Sequence, residues 1–446
     1  MVDLYPQQKA AFDKMVNEGG GVTWMRVGTG KTRIGLLAAH AIKGAYVIPV
    51  IARRAAFDDW RNEIATLQLP YYVIEVEHVA MGSIFNEPTF VLVSDGMLLN
   101  SAITGVLFSL RESNQIGAFI IDEGYLFKNP NTDKHKALQQ MREGVLSVVL
   151  SGSIMTARDL VDIYGQVAIS GQGRRLAKGL SHFREQFLTG MNSYGHYEWY
   201  PKPGSYNAIM QKIEPFTYIF MPKKSDRKIV ESILRVHPSK EQLDYFKELK
   251  ETAAIEGKFE LKNMAAVVIK AQQISNGWIQ HENGDITCID SPKLERCQAL
   301  VAEIVDGGER VVVWCAFRED IVRLRPYLES IAGVATLQSG TPFDLKKWES
   351  GKPRICIATE ASGSSINHFA QVPYGIYFSQ DWKWLSMQQS QGRHDRKSSL
   401  HDTCFFTYLH TDKSLDSKVH YTVKAAASSE RGFINQLDAL QWIRTK

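Results

Sequence analysis

Short apolar runs alternate with helix-like stretches through the first 150 residues of the chain. Gly21–Met25 reads as a short buried strand and Lys31–His40 as a good helix former. Ala45–Val50, Tyr71–Val76, Phe90–Val93, Ala118–Asp122 and Leu146–Ser151 read as further strands, with Ala55–Leu67 helical after the first of these. Such alternation predicts a parallel sheet flanked by helices. From about residue 171 to 294 the pattern breaks into helix-rich, basic sequence. Gly190–Tyr206, dense in Tyr, Trp, Gly and Pro, interrupts it as an ordered loop or hairpin, and Ser291-Pro292 closes it. Alternation then resumes at Arg310–Cys315, Val334–Leu337, Arg354–Thr359 and Gly375–Phe378. The expected fold class is α/β, with two parallel-sheet lobes at residues 1–170 and 291–446 and a helical insertion at 171–290. A helical tail is expected over Ser429–Arg444.

Bulk properties change this picture little. A chain of 446 residues exceeds what one hydrophobic core organises, which supports two lobes. The N-terminus lacks a basic-then-apolar signal layout and no run of eighteen apolar residues occurs, so the expectation is a soluble protein of the cytoplasm, without a membrane partner. All five cysteines lie in the second half with no Cys-x-x-Cys pair, which predicts buried thiols in place of disulfides or zinc. A formal net charge of +4 permits a nucleic-acid partner without requiring one. Most of the basic clusters at Arg53-Arg54, Arg174-Arg175, Lys223-Lys224 and Arg393–Lys397 read by default as solvated faces.

The candidate chemistry starts at residues 25–32, Met-Arg-Val-Gly-Thr-Gly-Lys-Thr, at the predicted strand-to-helix turn. Gly28 and Gly30 can take φ > 0, so that backbone N–H groups converge on phosphate oxygens at a helix N-terminus. With Thr29 they form a phosphate loop in which Lys31 would bridge the β- and γ-phosphates and the Thr32 hydroxyl would sit on Mg²⁺. Met25 occupies the place of the first Gly of the general pattern, so a Gly-rich linking turn is the alternative. Asp122-Glu123, ending an apolar run, favours the phosphate reading, because it sets two carboxylates at a strand's C-terminal end. Asp122 would hold Mg²⁺ through water, and Glu123 would orient and deprotonate an attacking water. A single phosphate loop across two lobes implies that the second lobe completes the site. Its candidates are Arg393 and Arg396 in Gln389-Ser-Gln-Gly-Arg-His-Asp-Arg396, in the arginine-finger role.

With these motifs in order, the chain resembles the SNF2 family of superfamily 2 DNA translocases. Leu4-Tyr-Pro-Gln-Gln8 resembles the adenine-recognition segment, with Gln8 reading the base. Asp122–Asn129 is similar to the Asp-Glu-Ala-His box followed by Lys-Asn, and Ser151-Gly152-Ser153-Ile154 to the Ser-Gly-Thr-Pro coupling motif. Pro49 with Trp60 and Glu63 resembles the first DNA-contact motif. Thr359, Ser362, Gly363, Ile366 and Asn367 resemble the second-lobe motif that touches DNA and nucleotide, and Gln389, Gly392, Arg393 and Arg396 the last motif. Tyr125, Ile154 and Lys397-Ser-Ser depart from the family pattern without removing a group needed for hydrolysis. The segments Phe183–Phe187, Tyr194–Asn207 and Phe220–Asp226 resemble the compact branch of annealing and fork-remodelling enzymes.

The resemblance implies two RecA-like lobes and an ATP- and Mg²⁺-dependent motor on duplex, forked or branched DNA, monomeric and of the minimal prokaryotic or viral kind. It places Gln389 and Gly392 at the nucleotide beside Gln8 and residues 28–32. It assigns DNA contacts to Pro49, Arg53, Arg54, Ser94, Asp95, Lys128, Asn129, Thr359, Ser362 and Gly363, and coupling of hydrolysis to movement to Ser151, Gly152 and Ser153. A strand-separating DNA or RNA helicase and a nucleotide-dependent binding switch are the alternatives.

Overall fold

The computed structural model describes residues 4–26, 28–42, 47–155, 160–193, 196–221, 227–255, 261–281, 283–338, 343–360, 362, 369–395, 399 and 401–425. The chain divides into two compact units between Lys223 and Lys224, so residues 171–290 are shared between them. The expected helical tail lies outside the described residues.

In the first unit, β1 (Gly21–Met25), β2 (Val47–Ala52), β3 (Tyr72–Glu75), β4 (Thr89–Ser94), β5 (Phe119–Ile121), β6 (Ser147–Ser151) and β9 (Thr217–Phe220) form one parallel sheet. Its order is β3-β4-β2-β5-β6-β1-β9. The strands β1, β2, β4, β5 and β6 are buried along their whole length, as the continuous apolar runs require when helices cover both faces. β7 (Leu188–Ser193) and β8 (His196–Pro201) pair antiparallel, so the aromatic stretch is a hairpin. Three helices frame the site: α1 (Pro6–Asn17), α2 (Lys31–Ala41) and α3 (Phe57–Thr66). Pro6 opens α1 at the position where a missing N–H costs nothing.

The second unit carries β10 (Lys228–Val236), a small antiparallel pair β11 (Trp278–Gln280) and β12 (Ile286–Cys288), then β13 (Val311–Cys315), β14 (Val334–Leu337), β15 (Ile355–Thr359), β16 (Tyr374–Tyr377) and β17 (Thr403–Thr411). Six of these form a second parallel sheet, in the order β10-β17-β16-β13-β15-β14. The fold is therefore α/β with two parallel-sheet lobes; of the strands the sequence pattern missed, β9 and β10 lie where the alternation breaks and β17 lies after it resumes. All five cysteines are free, and four of them are buried. Among the described residues no helix is long and apolar enough to cross a membrane.

Candidate nucleotide site

β1 ends at Met25 and α2 begins at Lys31, so the chain turns between them at the C-terminal edge of the first sheet. Gly28 and Gly30 hold φ of 81° and 82°, a region that strains any L side chain. At Gly30 a Cβ would also lie 2.2 Å from Gln8 Nε2. Gln8, buried on α1, accepts the Tyr5 N–H on Oε1 at 3.0 Å and donates from Nε2 to the Thr29 carbonyl at 3.0 Å. It thus braces the loop from beneath. A side-chain amide has two N–H donors, so one remains for a second acceptor. Thr29 Oγ1 donates to the Arg26 carbonyl at 2.7 Å, and Lys31 Nζ donates to the carbonyls of Met25 and Arg26 at 3.0 and 3.3 Å. Lys31 is held at the loop by groups of the loop itself. Thr32 follows it in the first turn of α2.

β5 delivers the acidic pair to the same edge. The Asp122 N–H donates to the Ile51 carbonyl at 2.9 Å, extending the ladder to β2. Asp122 Oδ1 accepts the Glu123 N–H at 2.9 Å, and Oδ2 accepts the indole N–H of Trp60 at 3.3 Å. Burial, reinforced by the Glu123 charge, pushes the Asp122 carboxyl up to about 6, against the opposing pull of Lys31. Lys31 and Asp122 are therefore electrostatic neighbours. Glu123 has φ 50° and ψ 54°, a left-handed conformation unusual outside glycine, of the kind that collects at functional sites.

Trp60, matched to a DNA-contact motif by resemblance, lies 1% exposed on α3 beneath the acidic pair. Its spacing with Phe57 and Ile64 marks the buried face of an amphipathic helix, and that signal outranks the motif match. Glu63 is engaged with Arg33 of α2 at 2.7 Å.

The donor set suits Mg²⁺. Asp122 and Thr32 offer hard oxygen ligands, and the raised proton affinity of Asp122 shows a buried negative charge that Lys31 and Trp60 leave incompletely compensated. Mg²⁺ held there would neutralise charge on phosphate oxygens.

The segment Ser151-Gly152-Ser153 is buried. Ser151 Oγ donates to the Ser153 carbonyl at 2.8 Å, Ser153 Oγ to the Met155 carbonyl at 3.1 Å, and Gly152 lies between them. The helix Val161–Ile169 ties this segment to β1, the strand that leads into the glycine loop. Gln166, fully buried, accepts the Trp24 indole N–H at 3.0 Å and donates to the Ile154 carbonyl at 2.7 Å. Gly165 lets this helix pack on Lys128, because a Cβ there would lie 1.9 Å from the Lys128 carbonyl. A lone Gln on an apolar helix carries no motif, so sequence reasoning missed it. Gln166→Leu leaves a buried N–H and a buried C=O without partners. It is expected to cost on the order of 2–5 kcal/mol in urea unfolding, whereas a cost below about 1 kcal/mol would show that the bridge is dispensable.

The remaining expected nucleic-acid residues fall in varied surroundings. Pro49 is buried within β2, and the chain leaves the strand only at Arg53. Proline fits because the pairing of β2 with β5 resumes only at Val50. Arg53 Nη2 donates to the Tyr125 hydroxyl at 3.1 Å, and Arg54 is paired with Glu75 and Glu77, each at 2.5 Å. Ser94 closes β4, and Asp95 pairs with Lys134 at 3.1 Å. Lys128 Nζ is 3.1 Å from the buried Asp162 carboxylate, and Asn129 Oδ1 accepts the Asn131 N–H at 3.0 Å. In the second unit, Thr359 Oγ1 donates to Ser362 Oγ at 2.7 Å; Gly363, Ile366 and Asn367 lie outside the described residues.

The last motif occupies the helix Trp384–His394 of the second unit. Gln389 and Arg393 are buried on it, and Gly392 is half-buried. Gln391 donates to Glu231 at 2.9 Å and to the Tyr408 hydroxyl at 2.8 Å. His394 Nε2 accepts the Trp314 indole N–H at 3.2 Å, so Nδ1 carries the proton that the Val372 carbonyl receives at 2.7 Å. Burial pushes this imidazole down to about 4. Arg227 donates to the Asp395 carboxylate and to the carbonyls of Ser399 and His401. Arg396 lies outside the described residues.

No family model and no curated protein matches the chain. Among solved structures it is similar to the Sulfolobus solfataricus SWI2/SNF2 ATPase core in complex with dsDNA, at 17% identity. That alignment covers 98% of this chain and 93% of the other, with a TM-score of 0.42.

Proposed function

We propose that the chain is an ATP-driven DNA translocase of the SNF2 type that moves along duplex DNA and remodels forks or junctions. The observation that supports this most is the assembly, at the C-terminal edge of one parallel sheet, of a left-handed glycine loop, Lys31 and the buried Asp122-Glu123 pair. The loop amides and the start of α2 take the phosphates. Lys31 exchanges the Met25 and Arg26 carbonyls for β- and γ-phosphate oxygens, and Glu123 takes the proton of the attacking water. Thr32 would hold Mg²⁺ directly and Asp122 through water, and Gln8, Gln389 and Gly392 would face the rest of the nucleotide. Arg393, with Arg396, stabilises the charge of the transferring phosphoryl group.

The DNA half of the reading rests on the ordered motifs. Arg54 and Lys128 already have carboxylate partners, so the grip proposed here relies on short polar groups such as Ser94, Thr359 and Ser362 as much as on cations. Backbone tracking makes binding sequence-independent and salt-sensitive. The test is ATP turnover across single-stranded, duplex, forked and four-way-junction DNA, with RNA as control. Duplex is expected to stimulate turnover and RNA to leave it at the basal rate, with ATP-dependent junction movement. Absence of stimulation by every DNA would favour a binding switch, and displacement of a strand from a tailed duplex would favour a helicase.

A further inference from the structure

A cavity of about 960 Å³ opens on the first unit, with Leu146, the residue before β6, in its wall. β6 runs parallel to β1 with Val148 opposite Gly21, so this wall stands at the N-terminal edge of the sheet. The phosphate loop leaves the C-terminal edge. At about 3.3 Å per residue, the length of β1 puts the two sites on the order of 15 Å apart.

The lining is cationic. Lys136, Arg142, Arg174 and Lys178 face the cavity, with Glu143 the one carboxylate. Arg174 and Lys178 are exposed, with no ion-pair partner among the described residues. Arg142 donates to the Val145 carbonyl at 3.0 Å, while its Nε is buried with no hydrogen-bond partner among the described residues. The neighbouring Arg175 shows the contrast. It pairs with Glu18 at 2.6 Å and stacks over Phe216 at 4.6 Å, so of the basic pair at 174–175 one residue is structural and the other lines the cavity. The amides of Asn131, Gln139 and Gln140 add neutral hydrogen-bonding groups to the wall. Like charges gathered in a concave surface focus their field and raise the local concentration of a polyanion.

We infer that this cavity binds the phosphodiester backbone of a nucleic acid, as a second site apart from the nucleotide site. Lys136 also reaches the Asp133 carboxylate at 4.0 Å, whereas the spaced, exposed Arg174 and Lys178 suit successive phosphates, and amides suit phosphate and sugar oxygens. The inference goes beyond the proposed motor function and rests on the cavity alone.

The full chain carrying Arg174→Glu and Lys178→Glu tests it by equilibrium binding to a short duplex and to one several times longer, over a range of salt. Affinity is expected to fall about tenfold or more at low salt, and the slope of log K against log salt to shrink by about 2, as for two lost phosphate contacts. Loss confined to the long duplex means that one duplex reaches both sites. Loss of a second binding event on short duplexes means that the cavity takes a separate segment. Lys346→Glu with Lys347→Glu applies the same charge change elsewhere and should leave the slope unchanged. Equal affinity and slope in the cavity variant and the wild type would overturn the inference. So would an equal loss in the control, or a cavity-dependent response to pyrophosphate with none to DNA. Wild type that binds duplex through the cavity without DNA-stimulated turnover would defeat the motor reading and leave this one standing.

Discussion

Glu123→Gln is expected to bind ATP normally and to lose turnover by a factor of about 10²–10⁴, the usual contribution of a positioned general base. Glutamine keeps the shape and hydrogen-bonding reach of the side chain and cannot accept the proton. The backbone around residue 123 should be preserved, because its left-handed conformation is fixed by the turn from β5 into Gly124–Phe127 and not by the charge. Lys31→Ala, in contrast, should lose affinity as well as rate, since its ammonium is the cation that the loop holds beside Asp122. The pair of results separates the roles. Nucleotide binding by fluorescence and phosphate release measure them, and full turnover in Glu123→Gln would remove Glu123 from the mechanism.

The parts of the site that were legible in the sequence are those whose chemistry depends on local order. A strand, a glycine turn, Lys31 and a helix are consecutive, and Asp122-Glu123 follows directly on its strand, so periodicity and motif agreed. The supporting residues were not legible. Trp60 reaches Asp122 across 62 positions, Gln166 reaches Trp24 across 142, and only the sheet order makes these neighbours. Gln8 was assigned to the base by resemblance, while the fold also uses it as a brace, a role that depends on how α1 lies against the loop. The missed strands have the same cause. β10 is exposed or half-buried at every position before Val236, with no period-two alternation, and its partner β17 lies far along the chain in the register Lys228 to Thr403, so no local pattern announces the pairing. Propensity is a local quantity, and these elements are settled by partners distant in sequence.

Asp122→Asn is expected to lose ATP turnover at least about 100-fold and, unusually for a site residue, to change the pH dependence of stability in its own favour. Burial and the Glu123 charge raise the folded-state carboxyl to about 6, whereas an unfolded aspartate titrates near 3.9. Between these values the folded chain binds more protons than the unfolded one, so wild-type stability falls as pH rises through about 4 to 6 and the cost is complete above 6. Asparagine cannot ionise and escapes that cost, but its amide replaces one of the two oxygens that accept from Trp60 and the Glu123 N–H. The lost hydrogen bond costs about 1–3 kcal/mol at every pH. The pH-dependent term amounts to on the order of 2–3 kcal/mol, so the variant should be the less stable protein near pH 4 and close to parity near pH 7. Denaturant unfolding of both proteins across that range measures the difference. A gap constant with pH would mean that Asp122 is already compensated, and would take away the electrostatic reason for a cation to bind there. A gap that closes with rising pH, and reopens in favour of the wild type when Mg²⁺ and nucleotide are added, would show that the charge left uncompensated by folding is the charge that the ligand satisfies.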